Sequence, residues 1–151
     1  MEPARVLLDT DVIVNWLVRE TESVTGKELW KAPYAIIKLA ESGDVSARIS
    51  LTTLMELRFL FRRKKSYSHN KIEEDLATLT SVVDVLIPDE ISLVKANLLQ
   101  EKHPLDPFDA IHLSLCIGME SAILISRDKD FIKVARHHVA AMNPEEFIMS
   151  A

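Results

Sequence analysis

Four short segments of this chain each put a carboxylate where an apolar run gives way to a turn or a helix start. They are Leu7-Leu8-Asp9-Thr10-Asp11, Thr53-Leu54-Met55-Glu56-Leu57, Asp106-Pro107-Phe108-Asp109-Ala110 and Ile125-Ser126-Arg127-Asp128-Lys129-Asp130-Phe131. Open parallel sheets bind ligands outside the carboxyl ends of their strands, so acids repeated at that edge can meet in one pocket although they are far apart in sequence. Converging carboxylates repel one another and stay ionised together only when a cation compensates them. Oxygen donors of this kind suit a hard ion such as Mg²⁺ or Mn²⁺.

Each acid also has a structural explanation. With Asp106 as N-cap and Pro107 at the first helical position, Asp109 falls where a carboxylate favours the helix dipole. Thr53-Leu54-Met55-Glu56 matches a capping box. Asp9 stands at the tip of the first apolar run, Asp11 reads as a turn residue, and Asp130 reads as a first-turn dipole charge. Against the capping reading, Asp109 leads a segment, 111–117, that is apolar enough to be buried all round, and a buried acid needs a partner. Of the last pair, Asp128 is expected nearer a metal than Asp130.

Other chemistries find little support. The single cysteine, Cys116, lies in an apolar run, so no disulfide framework or cysteine metal site is available. His112 shares a helix face with Asp109 and reads as a core histidine bonded to a neighbour, with contact to a substrate phosphate as the alternative. His137 and His138 are adjacent and cannot form a helical i, i+4 zinc pair, so they read as surface. There is no G-x-S-x-G nucleophile elbow and no Gly-rich phosphate loop.

The elements that must position the acids follow from hydrophobic period and punctuation. Strands are predicted at 5–8, 45–51, 82–87 and 122–125, with a possible edge strand at 139–142. Helices are predicted at 12–18, 27–42 with Pro33 starting or kinking its second half and Gly43 stopping it, 53–65, 70–81, 89–102, 107–119 and 129–135. Leu54, Leu57, Leu60 and Phe61 are expected on the inner side of the third of these, and Ile72, Leu76 and Leu79 on that of the fourth. Strands alternating with helices give an α/β fold, a mainly parallel sheet of four to five strands with helices on both faces. The 151 residues, 48% hydrophobic with three glycines and six prolines, suit a single domain over 1–151 without a flexible linker. The apolar stretch ended by Asp9 is too short for a signal peptide or membrane span, which predicts a cytoplasmic protein. A net charge of −5 argues against an anionic polymer as partner until four metal-neutralised acids are set aside, which leaves about −1. Arg58, Arg62, Arg63, Lys64 and Lys65 then form either a helix C-terminal charge cluster or a phosphate-contacting patch.

Taken together, in this order and spacing, the segments around Asp9, Thr52 to Leu57, Pro107 to Leu113 and Ser126 to Phe131 resemble the PIN-domain ribonucleases, specifically VapC-type toxins of toxin–antitoxin pairs. The resemblance implies a three-layer α/β/α sandwich. It places the catalytic, metal-binding acids on Asp9, Glu56, Asp109 and Asp128, with Asp130 supporting. It also implies a Mg²⁺- or Mn²⁺-dependent endoribonuclease acting on RNA such as tRNA or rRNA, a homodimer, and a small antitoxin partner. Ser126 stands where the family commonly has Thr, and Asp11 where Asn is frequent. Asp9-Thr10-Asp11 also resembles the start of haloacid-dehalogenase phosphatases, but Ile13 replaces that family's usual Thr. A non-catalytic PIN-like interaction module is the remaining alternative.

Overall fold

Val6, Leu7 and Leu8 are all buried, although side chains alternate along a strand, because β1 (Ala4–Leu8) is the middle strand of a sheet covered on both faces. The computed structural model describes residues 2–151. After β1 come α1 (Thr10–Leu17), α2 (Lys31–Glu41), β2 (Val45–Ser50), α3 (Leu51–Arg62) and α4 (His69–Thr80). They are followed by β3 (Asp84–Leu86), α5 (Glu90–Lys102), α6 (Pro107–Gly118), β4 (Ala122–Ile125), α7 (Lys129–Ala135), β5 (Ala140–Met142) and α8 (Pro144–Ser150). Among the described residues the five strands run parallel in the order β3-β2-β1-β4-β5.

The alternation of β1 sorts the helices into two layers. Val6 and Leu8 join a core with Ile13 of α1, Ile36 of α2, Leu57 and Phe61 of α3, Leu79 of α4 and Phe147 of α8. Leu7 faces the other way, against Leu99 of α5, Leu113 and Cys116 of α6, and Phe131 of α7. This is the three-layer α/β/α sandwich. The chain moves outward from β1 to β2 and β3, then returns to the other side of β1 for β4 and β5. The topological switch therefore lies between β1 and β4, and the strand ends there open a crevice.

Helix starts carry much of the local specification. Asp9, Ser50, Ser68, Asp89, Asp106, Asp128 and Asn143 are N-caps whose side chains accept from backbone N–H groups of the helices they precede. At the other end of α2, Gly43 at φ +86° lets its own N–H and that of Asp44 close on Ala40 and Leu39 carbonyls, a Schellman stop.

Several sequence expectations need correction. The first helix begins at Thr10 rather than residue 12, so Asp11 is helical and not in a turn; Asp9 itself supplies the cap. Residues 27–30 stay outside α2, whose first turn holds Pro33. Helix α3 is capped by Ser50, which puts Thr53 and Glu56 inside the helix and removes the expected capping box. Leu60 is 40% exposed while Phe61 is fully buried and stacked on Tyr67, because consecutive helical residues diverge by a quarter turn. Helix α6 is not apolar-buried throughout, since Ile117 reaches solvent, and α5 leaves Ile91, Leu93, Val94 and Leu98 exposed. The final helix, α8, with its Asn143–Glu146 capping box, was not anticipated.

The two neighbouring positions in α3 test this packing. Phe61→Ala should cost about 3–5 kcal/mol by emptying a core site, whereas Leu60→Ala should cost less than about 1 kcal/mol. Urea denaturation of both variants measures the difference, and comparable losses would mean the α3 face is misassigned.

Candidate active site

Asp9 leaves β1 at the switch point, where its N–H extends the sheet ladder to the Ile125 carbonyl at 2.9 Å. Its carboxylate is only 6% exposed, and each oxygen is answered. Oδ1 accepts from the Thr10 N–H at 2.9 Å and from His112 Nδ1 at 2.8 Å, and Oδ2 accepts from the Ser126 hydroxyl at 2.7 Å. Burial alone would raise the Asp9 pKa, but the His112 bond and charge, with Ser126 and Thr10, hold it below the ordinary carboxylate value. Burial likewise opposes charge on His112, and the Asp9 contact reverses this and raises its pKa. The two form a buried ion pair. His112 is thus the core histidine expected from sequence.

Glu56 enters from the α3 side. Its Oε1 accepts from the Thr10 hydroxyl at 2.8 Å, and that hydroxyl lies 3.0 Å from Thr53 Oγ1. His112 Nε2 lies 3.4 Å from the same Thr53 oxygen and 3.8 Å from Glu56. A polar circuit from Asp9 through His112 and the two threonines to Glu56 therefore crosses the interface of α1, α3 and α6.

Asp109 is the third residue of α6, with its N–H held by the Asp106 side chain at 2.8 Å. Burial and the charges of Asp9 and Asp106, with Asp128 beyond, push its carboxyl up to about 8. Asp128 caps α7, accepting from the Asp130 and Phe131 N–H groups at 3.0 and 3.1 Å.

Asp9, Glu56, Asp109 and Asp128 all line one cavity of about 450 Å³ at the strand ends, so the structure brings these sequence-identified acids together. Asp130, the expected supporting ligand, is exposed and is not among the residues lining it; it follows Asp128 into the first turn of α7 and points its N–H, not its carboxylate, at the cap. Two acids that sequence reasoning gave only turn and capping roles, Asp11 and Asp106, line the cavity as well. Their signal was spacing alone: each lies within three residues of a principal acid. Arg127 was also missed. Its side chain bonds Asn15 and reaches Glu145 at 2.6 Å and the Leu29 carbonyl at 2.7 Å, tying α1, α8 and the segment before α2 to the cavity wall.

The donor set suits a divalent cation. Asp9 and Asp109 each offer a carboxylate oxygen, with a ring nitrogen of His112, itself committed to Asp9, within 4.8 Å of both. Asp11 is pushed up to about 7 by burial and by Asp9, even though one oxygen accepts from the Arg127 N–H at 3.1 Å, and its other oxygen is buried without a partner. Crowded carboxyls that resist ionisation, with an orphaned oxygen among them, are what a site requires before a cation supplies charge. Of the two roles open to the basic stretch, the helix C-terminal one fits Arg62 and Arg63, which occupy the last turn and C-cap of α3. Arg58 is engaged in a two-bond pair with Glu73 of α4, and Arg62 and Arg63 line a separate groove along α3 with Met55 and Phe59. Cys116 is buried with its thiol pushed up to about 12 by burial, which makes it a small core residue and no nucleophile.

The Asp109 shift has a stability consequence with a definite sign. The folded chain keeps a proton near pH 8 that the unfolded chain gives up near 3.8. This group's contribution is full below about pH 4 and is lost as pH rises through about 8. In chelator, Asp109→Asn should therefore stabilise the chain by an increment that grows from pH 5 to pH 8.5. Allowing for solvent screening at this half-buried site, about 1 kcal/mol is expected, or roughly 2–4 °C in Tm. Melting curves at the two pH values check it, and a pH-independent increment would contradict the electrostatic account.

A sequence profile of the PIN domain matches residues 5–130. No curated protein matches the chain by sequence. Among solved structures, the chain is similar to VapBC2 from Rickettsia felis bound to a DNA fragment from their promoter, at TM-score 0.69 and 16% identity over 92% of this chain and 98% of that one. It is similar to DNA-bound VapBC from Salmonella typhimurium at TM-score 0.65 and 16% identity, over 93% and 98% of the two chains. PAE2754 from Pyrobaculum aerophilum gives TM-score 0.68 at 12% identity, over 97% and 94%. At such identities the likeness is one of fold, and the profile, which spans most of the chain and all of the acids that line the cavity, carries the assignment: this chain belongs to the PIN domain family.

Proposed function

We propose that the chain is a Mg²⁺- or Mn²⁺-dependent endoribonuclease, a single nuclease domain over 1–151 that serves as the toxin of a type II toxin–antitoxin pair. The observation that carries the reading is the convergence of Asp9, Glu56, Asp109 and Asp128 on one cavity at the switch point of the sheet. Asp9 and Asp109 would hold the metal directly, and Glu56 and Asp128 directly or through water, since Mg²⁺ keeps much of its hydration. When bound, the ion supplies Lewis acidity, acidifying water and offsetting charge on a scissile phosphate. The chain's own part is positional. His112 and Ser126 fix both oxygens of Asp9, Thr10 aims Glu56, and the half-enclosed cavity leaves room for a phosphodiester. No side chain is required as a covalent nucleophile.

The partner follows from the neighbours. VapBC assemblies of the same fold support a small antitoxin protein as the inhibitor, and family resemblance supports a homodimer in the cytoplasm. No helix among the described residues is long and apolar enough to cross a membrane. Among the apolar residues near the cavity, Phe61 is in the core and Trp16 and Leu17 pack partly against it, whereas Leu60, at the cavity rim, is accessible to such a partner.

Two measurements test the proposal. Millimolar Mg²⁺ or Mn²⁺ should raise the melting temperature, since binding to the folded chain alone adds about 2.7 kcal/mol at a hundredfold excess over Kd. An unchanged melt, with RNA left intact, would favour a non-catalytic module. Purified protein incubated with total RNA and metal should produce discrete new ends by sequencing, lost with EDTA and reduced on the order of a hundredfold or more in Asp9→Asn and Asp109→Asn. Intact RNA alongside turnover of a small phosphomonoester would instead identify a phosphatase.

A further inference from the structure

On the α5–α7 side of the sheet, away from the acid cavity, three imidazoles gather: His103 at the C-cap of α5, and His137 and His138 just after α7. His103 Nε2 faces His138 Nε2 at 3.0 Å, with the two rings nearly perpendicular. The His137 ring lies roughly parallel to that of His103, 5.9 Å away between centroids. Both facing residues are held by their backbones. The His103 N–H closes on Leu99 O at 2.9 Å and its carbonyl accepts from Leu105 at 2.9 Å, while the His138 N–H closes on Ala135 O at 2.9 Å.

We infer that His103 and His138 form a second metal site, selective for a borderline transition-metal ion such as Zn²⁺ and separate from the acid cage. The geometry fits. Two imidazole nitrogens bound at about 2.0–2.1 Å and subtending an angle near 90–110° lie roughly 2.9–3.4 Å apart, the spacing found here. Imidazole donors without carboxylates select zinc, copper or nickel over Mg²⁺. Only one of two facing Nε2 atoms can carry the proton of the present bond. That proton passes to Nδ1 of its own ring when metal binds, so both Nε2 lone pairs become available with no net charge change on the protein. His138 is poised for this, because burial, and then the neighbouring His103, His137 and Lys102, disfavour its protonated form. The remaining coordination positions are left to water or an anion, for which Lys102 and Lys95 beside the His138 wall are suited.

The site would join two segments that also serve the acid cavity. His103 precedes Asp106, the cap of the Asp109 helix, and His138 follows the helix that Asp128 caps. A metal across them would clamp the trailing end of α7 to the approach of α6.

The test is calorimetric titration of zinc into tag-free, chelator-stripped full-length chain. Because Asp9, Asp109 and His112 offer zinc donors as well, the parent, His103→Ala, His138→Ala, the double variant and Asp109→Asn are compared. The expected result is that each histidine variant weakens the same single equivalent at least tenfold, the double variant weakens it no further, and Asp109→Asn retains it. Mg²⁺ should not compete for that equivalent. His103→Gln and His138→Gln, which keep a neutral polar side chain, should behave as the alanine variants do and control for folding. Zinc binding unchanged in the histidine variants, or a loss confined to Asp109→Asn, would overturn the inference and leave His103 and His138 as a neutral hydrogen-bonded pair.

Discussion

A carboxylate buried at the tip of the central strand must have its lone pairs answered, and the rest of the site is arranged around that requirement at Asp9. Its carboxylate's donors come from three places in the chain, the first turn of α1, the second turn of α6 and the loop after β4, while the Asp9 N–H donates to the backbone of β4. Unpaired, such a group would cost several kcal/mol or give up its charge. Paired, it fixes α6 against β1 and brings the Asp109 end of that helix over the strand ends. Structural satisfaction of Asp9 and assembly of the acid cavity are the same set of bonds.

That satisfaction is uneven, and the unevenness carries the chemistry. Asp9 keeps its charge because His112 and two further donors favour it. Asp109 and Asp11, crowded by Asp9 and short of donors, are pushed up to about 8 and about 7. A fully hydrogen-bonded acid cluster would be inert toward cations, and a wholly unsatisfied one would oppose folding. Here one anchor is locked and its neighbours are left in need of positive charge, a division that suits a site whose charge is completed from outside. The nearby arginines do not meet that need: Arg58 is occupied by Glu73, and Arg127 by Asn15, Glu145 and a backbone carbonyl.

The fold was legible in the sequence wherever period and punctuation agreed. The strand at Ala122–Ile125, the helix at Lys129–Ala135, the Gly43 stop and the Ile72, Leu76, Leu79 stripe each depend on neighbours in sequence, and the structure agrees with them. The misplacements share a cause. Thr53 matched a capping box, but Ser50 directly ends β2 and takes the cap, because the end of that strand is held by its pairing with Leu86 of β3 rather than set by the local motif. Leu60 and Phe61 looked equivalent as apolar residues, and helical phase against the sheet separated them. Helix α8 was missed because its seven residues carry a weak stripe, and its place depends on Phe147 reaching the core shared with α2.

The sequence by itself determined that acids of the right type stand at element boundaries in an alternating α/β chain, since residue type and period are local properties. It favoured Asp128 over Asp130 but could not say which of the other neighbouring acids reach the cavity. Asp128 and Asp130 differ by two positions, and the direction of each is set by how α7 leaves β4; Asp11 and Asp106 had sound local explanations and still line the cavity. The His112–Asp9 pair spans 103 positions, and the His103–His138 pair spans 35. Such contacts exist only after the parallel sheet has ordered its strands as β3-β2-β1-β4-β5, because that order, and no local preference, places α6 over β1 and the end of α7 beside the end of α5.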